Sequence, residues 1–417
     1  MKHFILLLFT LLPLSANAEK PNLWVLTDMS DPNDRRAGGH PQNDPDDIVS
    51  LASLLLQANR FHIERIVYAS NQREGLKDPT AFVNEVFVAA YQHDLPYLKQ
   101  KYSGYPDSIS YALSSINQNG SSTPFDRDKD YRDLSELSTV QDLVSYASEH
   151  PVYVLIWGPA TEAAMAVQHC LTTGNDAALR NMTFVAHWTK SLIAQGTPEK
   201  PFHVANCRDD EAACHYLHEI ALEHPDVKYI ELGSSGQTGI VNGSANYPEM
   251  DEFANSRLGQ IFRYAKFYHG KPDQSDGATF WLITEAFGPT LSDVAHDGSL
   301  EMENEKRIRD LFLEKTYDLL DDSLAKSNTA AQAGNPFPNS FIAQNFTYIY
   351  QYLNGRYYIY SPLPANYEVR APSRKLVLSG KVDGNLQLDF SQLPLGPYQV
   401  TVKSTDFTKV AELTKTK

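Results

Sequence analysis

Apolar positions along this chain fall into short solid runs separated by longer stretches with helical spacing, the pattern of a parallel sheet covered on both faces by helices. Leu23-Trp24-Val25-Leu26-Thr27 reads as a buried strand that ends directly in acidic and turn residues. From Ile48 to Leu56 apolar residues recur at helical spacing behind Asp44-Pro45-Asp46-Asp47, an acidic group that caps a helix and complements its dipole. Ile63 to Ala69 reads as a second strand, so the opening segment is a β-loop-α-β unit and predicts parallel pairing. The unit returns at Val152 to Trp157, followed by Gly158-Pro159 and an alanine-rich helix from Thr161 to Cys170. Further strands are expected at Met182 to Ala186 and Val227 to Leu232. Between Arg73 and His150 the pattern is mostly helical, broken by the polar stretch Asn117 to Arg132, which reads as a surface loop and a candidate lid.

Beyond Pro362-Leu363-Pro364 the period changes to two. Lys375 to Leu378, Leu386 to Phe390 and Tyr398 to Val402 alternate between Gly/Pro turns, as strands do. The expected organisation is therefore a mostly parallel α/β domain over residues 19–364 and a small all-β module over residues 365–417. Tyr348, Tyr350, Tyr352, Tyr357, Tyr358 and Tyr360 crowd the junction. Such a stripe either offers a carbohydrate platform or packs a core, and alternate spacing favours the core.

The first residues change the picture of where the chain works. Lys2, the apolar run Phe4 to Leu14 and the small-residue segment Ser15-Ala16-Asn17-Ala18 form a signal-peptide pattern with cleavage expected after Ala18, hence a secreted or periplasmic protein. No later window is long and apolar enough to predict a membrane span. The formal charge of −15 disfavours nucleic acid, because phosphate binding needs clustered Lys and Arg. Three cysteines, Cys170, Cys207 and Cys214, exclude a disulfide scaffold but permit one bridge, for which Cys207 and Cys214 are the nearest pair.

Asp28 stands at the end of the first strand, and Asp44, Asp46 and Asp47 open the following helix, so both groups face the same sheet edge. In open α/β sheets that edge binds ligands. Carboxylates gathered there repel one another unless they are protonated or meet a cation, and hard oxygen donors select Ca²⁺ or Mg²⁺ over zinc. The residues alone leave two readings open: a metal site, or aspartates that cap a helix and solvate a turn-like loop such as Asp31 to Asp34.

Taken in order, these residues resemble a known family. Thr27-Asp28, then Asn43-Asp44-Pro45-Asp46-Asp47 leading into Leu51 to Leu56, are similar to the opening motif of nucleoside-hydrolase-like proteins, specifically the exported branch labelled cellulose-binding-protein-like. Tyr68-Ala69-Ser70-Asn71, Trp157-Gly158-Pro159-Ala160-Thr161, Asn206 ahead of Asp209-Asp210, and Ser275-Asp276-Gly277-Ala278 continue the resemblance across residues 23–290. It implies a Rossmann-like nucleoside-hydrolase-type sheet. It also implies a Ca²⁺ held by Asp28, Asp47, the Thr161 carbonyl and Asp276, with Asp28 doubling as general base. Asp46, Asn71 and Asn206 would hold sugar hydroxyls. The segment Met29 to Gln42 is an insertion relative to the family pattern, and it leaves Asp31 and Asp34 as rival ligands.

Other residues invite chemistry. His187-Trp188, just past a strand end, reads either as a site that stacks on a base or protonates a leaving group, or as a packed loop. Gly233-Ser234-Ser235-Gly236 resembles a phosphate-cradling turn without a Walker lysine, and a wall of the site is the simpler reading. His296-Asp297 reads as a helix terminus. The functional expectation is a Ca²⁺-dependent hydrolase of N-glycosidic or related glycosyl bonds acting on a sugar, nucleoside or glycan. The alternatives are a non-catalytic glycan-binding protein that keeps the fold and a two-carboxylate glycosidase without metal. A homo-oligomer is left open.

Overall fold

The computed structural model describes residues 20–34, 45–71, 75–118, 121–268, 271–351, 356–405 and 407–416. The signal-peptide segment, Asp44 and residues 35–42 of the insertion lie outside these described residues.

The first domain is a doubly wound sheet. Its strands are β1 (Asn22–Leu26), β2 (His62–Tyr68), β3 (Tyr111–Leu113), β4 (Val152–Ile156), β5 (Met182–Ala186) and β6 (Lys228–Glu231), in the order β3-β2-β1-β4-β5-β6. Every neighbouring pair is parallel. The strands are short and apolar because both faces are covered, and two separate clusters of buried side chains lie against them. The order reverses between β1 and β4, which opens a crevice at their C-terminal ends. The helices that matter for that edge are α1 (Pro45–Leu56), α2 (Thr161–Thr173), α3 (Glu211–Glu223) and α4 (Arg257–Tyr264); the longest, α5 (Met302–Ala330), packs against other helices, α1 and α4 among them. Within the described residues no helix is long and apolar enough to cross a membrane.

In this domain the expected strands and helices recur with small shifts at their ends, whereas in the C-terminal sheet the two strands expected at Lys375 to Leu378 and Leu386 to Phe390 are one continuous strand, Leu376–Leu388. One strand is new: β3 extends the sheet within a stretch expected to be helical, and with three residues it is too short to leave a periodic signal. The polar stretch from Asn117 forms a two-residue hairpin ladder, Asn117–Gln118 with Ser121–Ser122, followed by loop.

The C-terminal sheet is antiparallel, built from β7 (Tyr348–Gln351), β8 (Tyr357–Arg370), β9 (Leu376–Leu388), β10 (Gly396–Lys403) and β11 (Thr408–Lys415). The boundary expected after residue 364 falls inside β8. Pro362-Leu363-Pro364 does not end the strand but forms an irregularity in its pairing with β9, between Ser361 and Ala365. Proline lacks the ladder donor, and a bulge absorbs that loss without breaking the strand. The tyrosines divide. Tyr348 and Tyr360 stack at 5.5 Å and donate to the carbonyls of Ala265 and Tyr264, which fastens this sheet to the end of α4. Tyr350 and Tyr358 stack farther out, half-buried.

Candidate active site at the sheet crevice

The crevice is built from strand ends. Beyond β1, the Thr27 N–H donates to the Val67 carbonyl, Ser70 N–H donates to Thr27, and Trp157 N–H donates to Leu26. Asp28 is thereby clamped between the ends of β2 and β4, and it is 2% exposed. Its carboxyl lies against Gly158, where a Cβ would fall 2.9 Å from the Asp28 Cγ, so any side chain at this position forces one of the two to shift. Asn71 donates from Nδ2 to the Asp28 carbonyl at 3.1 Å and accepts from Asn117 at 3.2 Å. Ala69 and Trp188, just past β2 and β5, hold left-handed φ values of 56° and 60°. Strained backbone of this kind costs about 1–3 kcal/mol and persists where surroundings fix a site.

Helix α1 delivers the second group. Pro45 starts it, Asp46 and Asp47 occupy its first turn, and Asp47 is fully buried, accepting a hydrogen bond from the Thr27 hydroxyl. Asp46 points elsewhere. Its Oδ1 pairs with Lys266 Nζ at 2.9 Å, and the same ammonium reaches Asp273 Oδ2 at 3.1 Å. Burial pushes the Asp273 carboxyl up to about 6, with Lys266 opposing the rise and the charges of Asp46 and Asp276 adding to it.

Asp276 sits in a 3₁₀ turn, Ser275–Gly277, at the start of a helix. Its carbonyl accepts from the Thr279 hydroxyl, which in turn accepts from the Trp157 indole at 2.8 Å. Its Oδ1 meets His187 Nδ1 at 2.8 Å, and both side chains are buried. Burial works to lower the His187 pKa, but the Asp276 carboxylate and the charges of Asp46 and Glu231 outweigh it, so the net shift is upward. The far ends of this pair, His187 Nε2 and Asp276 Oδ2, are buried with no hydrogen-bond partner among the described residues. Gly236 passes so close that its Cβ would lie 2.8 Å from His187 Nε2, which makes the Gly233–Gly236 turn a wall of the site.

Two expected residues also have side-chain partners within the fold. Thr161 opens α2 with its hydroxyl donated to Asp210 at 2.7 Å. Asn206 donates to the His187 carbonyl at 3.0 Å and so positions the histidine's backbone. The rival ligand Asp31 caps the Asn33 amide, and Asp34 accepts from the Lys77 amide. Cys207 and Cys214 are disulfide-bonded and Cys170 is a buried free thiol. The His296 carbonyl accepts from the Tyr229 amide of β6, so His296-Asp297 lies along the sheet edge rather than in the crevice.

The donors fit a cation in chemistry: Asp28 and Asp47 are buried hard oxygens, and Asp276 keeps one buried oxygen unpartnered. Among the described residues, however, no three His, Cys, Asp or Glu side chains stand together as a metal-holding group. Lys266 supplies positive charge between Asp46 and Asp273 that aspartates alone would have needed from a metal. Neither Lys266 nor Asp273 carries a motif. The only trace of the pair in the sequence is the general rule that a buried cluster of carboxylates requires a counter-charge.

A family model described as "Cellulose-binding Sde182, nucleoside hydrolase-like domain" matches residues 39–260, more than half of the chain. The chain belongs to this family. The nucleoside hydrolase-like match contains Asp46, Asp47, Asn71, Gly158, Thr161, His187 and Asn206, while Asp28, Lys266, Asp273 and Asp276 lie outside the matched residues. Thus the nucleoside hydrolase-like crevice is completed by strand β1 and by the turn at Asp276, which the chain brings in from either side of the matched span. No curated protein matches this chain.

Proposed function

We propose that the crevice seats a sugar ring of a glycan or riboside and hydrolyses its glycosyl bond. The observation that carries this reading is a set of buried groups past the strand ends: Asp28 wedged against Gly158 after β1 and β4, and after β5 the His187–Asp276 pair with Nε2 and Oδ2 unpartnered among the described residues. A buried polar atom without a partner costs about 1–3 kcal/mol, and a hydroxyl-rich ligand returns that cost. In this reading Asp28 takes a proton from water as the water oxygen adds to the anomeric carbon, and the bond to the leaving group breaks. Asp46, Asn71 and Asn206 orient ring hydroxyls, and His187 donates from Nε2 to the ring or the leaving group. Asp28 and Asp47, with the Thr161 carbonyl and Asp276, would be the groups to hold Ca²⁺, which when bound supplies Lewis-acid polarisation of water.

Export belongs to the same proposal. A Cys207–Cys214 bridge supports it, since disulfides persist in oxidising compartments.

A second reading is glycan binding without hydrolysis. Lys266 between Asp46 and Asp273 favours it, because internal charge compensation lets the pocket persist without a metal, and the family's printed description is cellulose-binding. The deciding experiment incubates mature protein and its Asp28→Asn variant with p-nitrophenyl riboside, nucleosides and cellobiose in the presence of Ca²⁺. Cleavage that the variant abolishes supports the hydrolase. Binding of cellobiose without cleavage of any substrate overturns it and leaves the binding reading.

A further inference from the structure

A hollow of about 350 Å³ opens beside the crevice, lined by residues 199–203, 207, 208, 211 and 215. Its lining shares only the segment around Asn206 with the motifs that mark the candidate active site. Its size is that of a small-molecule site, about 300–1,000 Å³. The floor is stiff, because Phe202 packs with Trp188 on the cluster of Val204, Cys207 and Cys214, and the disulfide ties the short helix Ala205–Asp209 to α3. Phe202 also stands against the His215 ring, 4.6 Å between centroids. Arg208 at the rim contacts His203 Nε2 at 3.2 Å.

The hollow adjoins the site through two residue pairs. Asn206, which holds the His187 carbonyl, is followed directly by Cys207 of the lining, and Trp188, which packs on the same cluster as Phe202, directly follows His187. The hollow and the crevice are thus neighbours across the Asn206–His187 contact.

The lining chooses among ligand classes. Lys200 and Arg208 repel a cation, whereas Glu199 and Glu211 repel an anion. A neutral polyhydroxylated ring meets donors and acceptors of both signs, with an aromatic side chain to pack its apolar face. We propose that this hollow is a second saccharide subsite, so that the protein binds an oligosaccharide with one residue in the crevice and the next units over Phe202 and Arg208. This rests on the reading of the crevice as a sugar site.

The test is calorimetric titration of the mature chain with cellobiose, cellotetraose and cellohexaose, repeated with Phe202→Ala, Arg208→Ala and Asp28→Asn. Arg208 is exposed, so its variant keeps the fold even if truncation of Phe202 loosens the loop. The expected result is an affinity at least tenfold higher for cellotetraose than for cellobiose. Arg208→Ala and Phe202→Ala should abolish that gain while leaving cellobiose binding intact, and Asp28→Asn should weaken all three ligands alike. If cellobiose binds in an Asp28-dependent way but length adds nothing, or if both hollow variants keep the gain, the second subsite is overturned and the crevice reading stands. If no cello-oligosaccharide binds the wild-type chain, both fall.

Discussion

His187 and Asp276, separated by 89 positions in sequence, meet at 2.8 Å inside the crevice, and each keeps one polar atom free of any partner among the described residues. Breaking one half of a buried ion pair leaves the other half uncompensated, at about 3–5 kcal/mol. Asp276→Asn should therefore lower the thermal midpoint by several degrees and abolish sugar binding. His187→Gln, which keeps a hydrogen-bonding side chain, should lose ligand affinity with a smaller loss of stability. Parallel melting and titration curves check both, and equal stability losses for the two variants would argue against the pair.

Gly158 sets the position of Asp28. In Gly158→Ala the new methyl would meet the Asp28 carboxyl at 2.9 Å, so one of them must move. The expected cost is about 1–3 kcal/mol of stability, as for other overpacked positions. Any activity should fall at least tenfold, because a base displaced by a few tenths of an ångström loses its alignment. A folded variant with unchanged turnover would show that Asp28 does not act from this place.

Lys266 bridges Asp46 and Asp273, and its replacement by Met should cost about 2 kcal/mol, the scale of hydrogen bonds to charged groups. The pH dependence has a definite sign. The Asp273 carboxyl is raised from 3.8 to about 6 in the fold, so between those values the folded state holds a proton that the unfolded chain has released. Stability contributed by that protonation is full below the unfolded value and is lost as pH climbs through about 6. Asp273→Asn should flatten this slope in denaturant melts taken across the window; a slope that survives the substitution belongs to another group.

For the cation, titration of Ca²⁺ into the EDTA-treated protein and its Asp47→Ala variant is the direct measurement. Binding in the wild type that weakens by tenfold or more in the variant is the expected outcome, since Asp47 is a buried carboxylate at the helix start. No heat in the wild type would remove the metal and leave Lys266 as a positive charge of the pocket.

The strands and the first helix were legible because each is announced by its own residues. A solid apolar run of four residues, Leu23 to Leu26, ending just before Thr27-Asp28 reads as a buried strand with polar groups at its exit, and Asp46-Asp47 ahead of Ile48 reads as a helix start. The edge on which Asp28, Asp47, Asn71 and His187 gather follows from parallel connection, which returns every strand in the same direction. Strand β3 and the run of β8 through Pro362-Leu363-Pro364 were not legible, since a three-residue strand has no period and a proline bulge looks like a strand end.

What the sequence by itself determined is the parallel α/β class, the β-rich tail and the placing of Asp28 at a strand end and of Asp46-Asp47 at a helix start, because periodicity and strand polarity are local properties that survive any packing. Only the tertiary structure decided how those residues are paired. Asp46 turns to Lys266, Asp276 turns to His187, Thr161 spends its hydroxyl on Asp210, and Gly158 makes room for Asp28. Electrostatic compensation is a sum over everything within a few ångströms, and residues that far apart in the chain acquire one another as neighbours only when the sheet and its helices close.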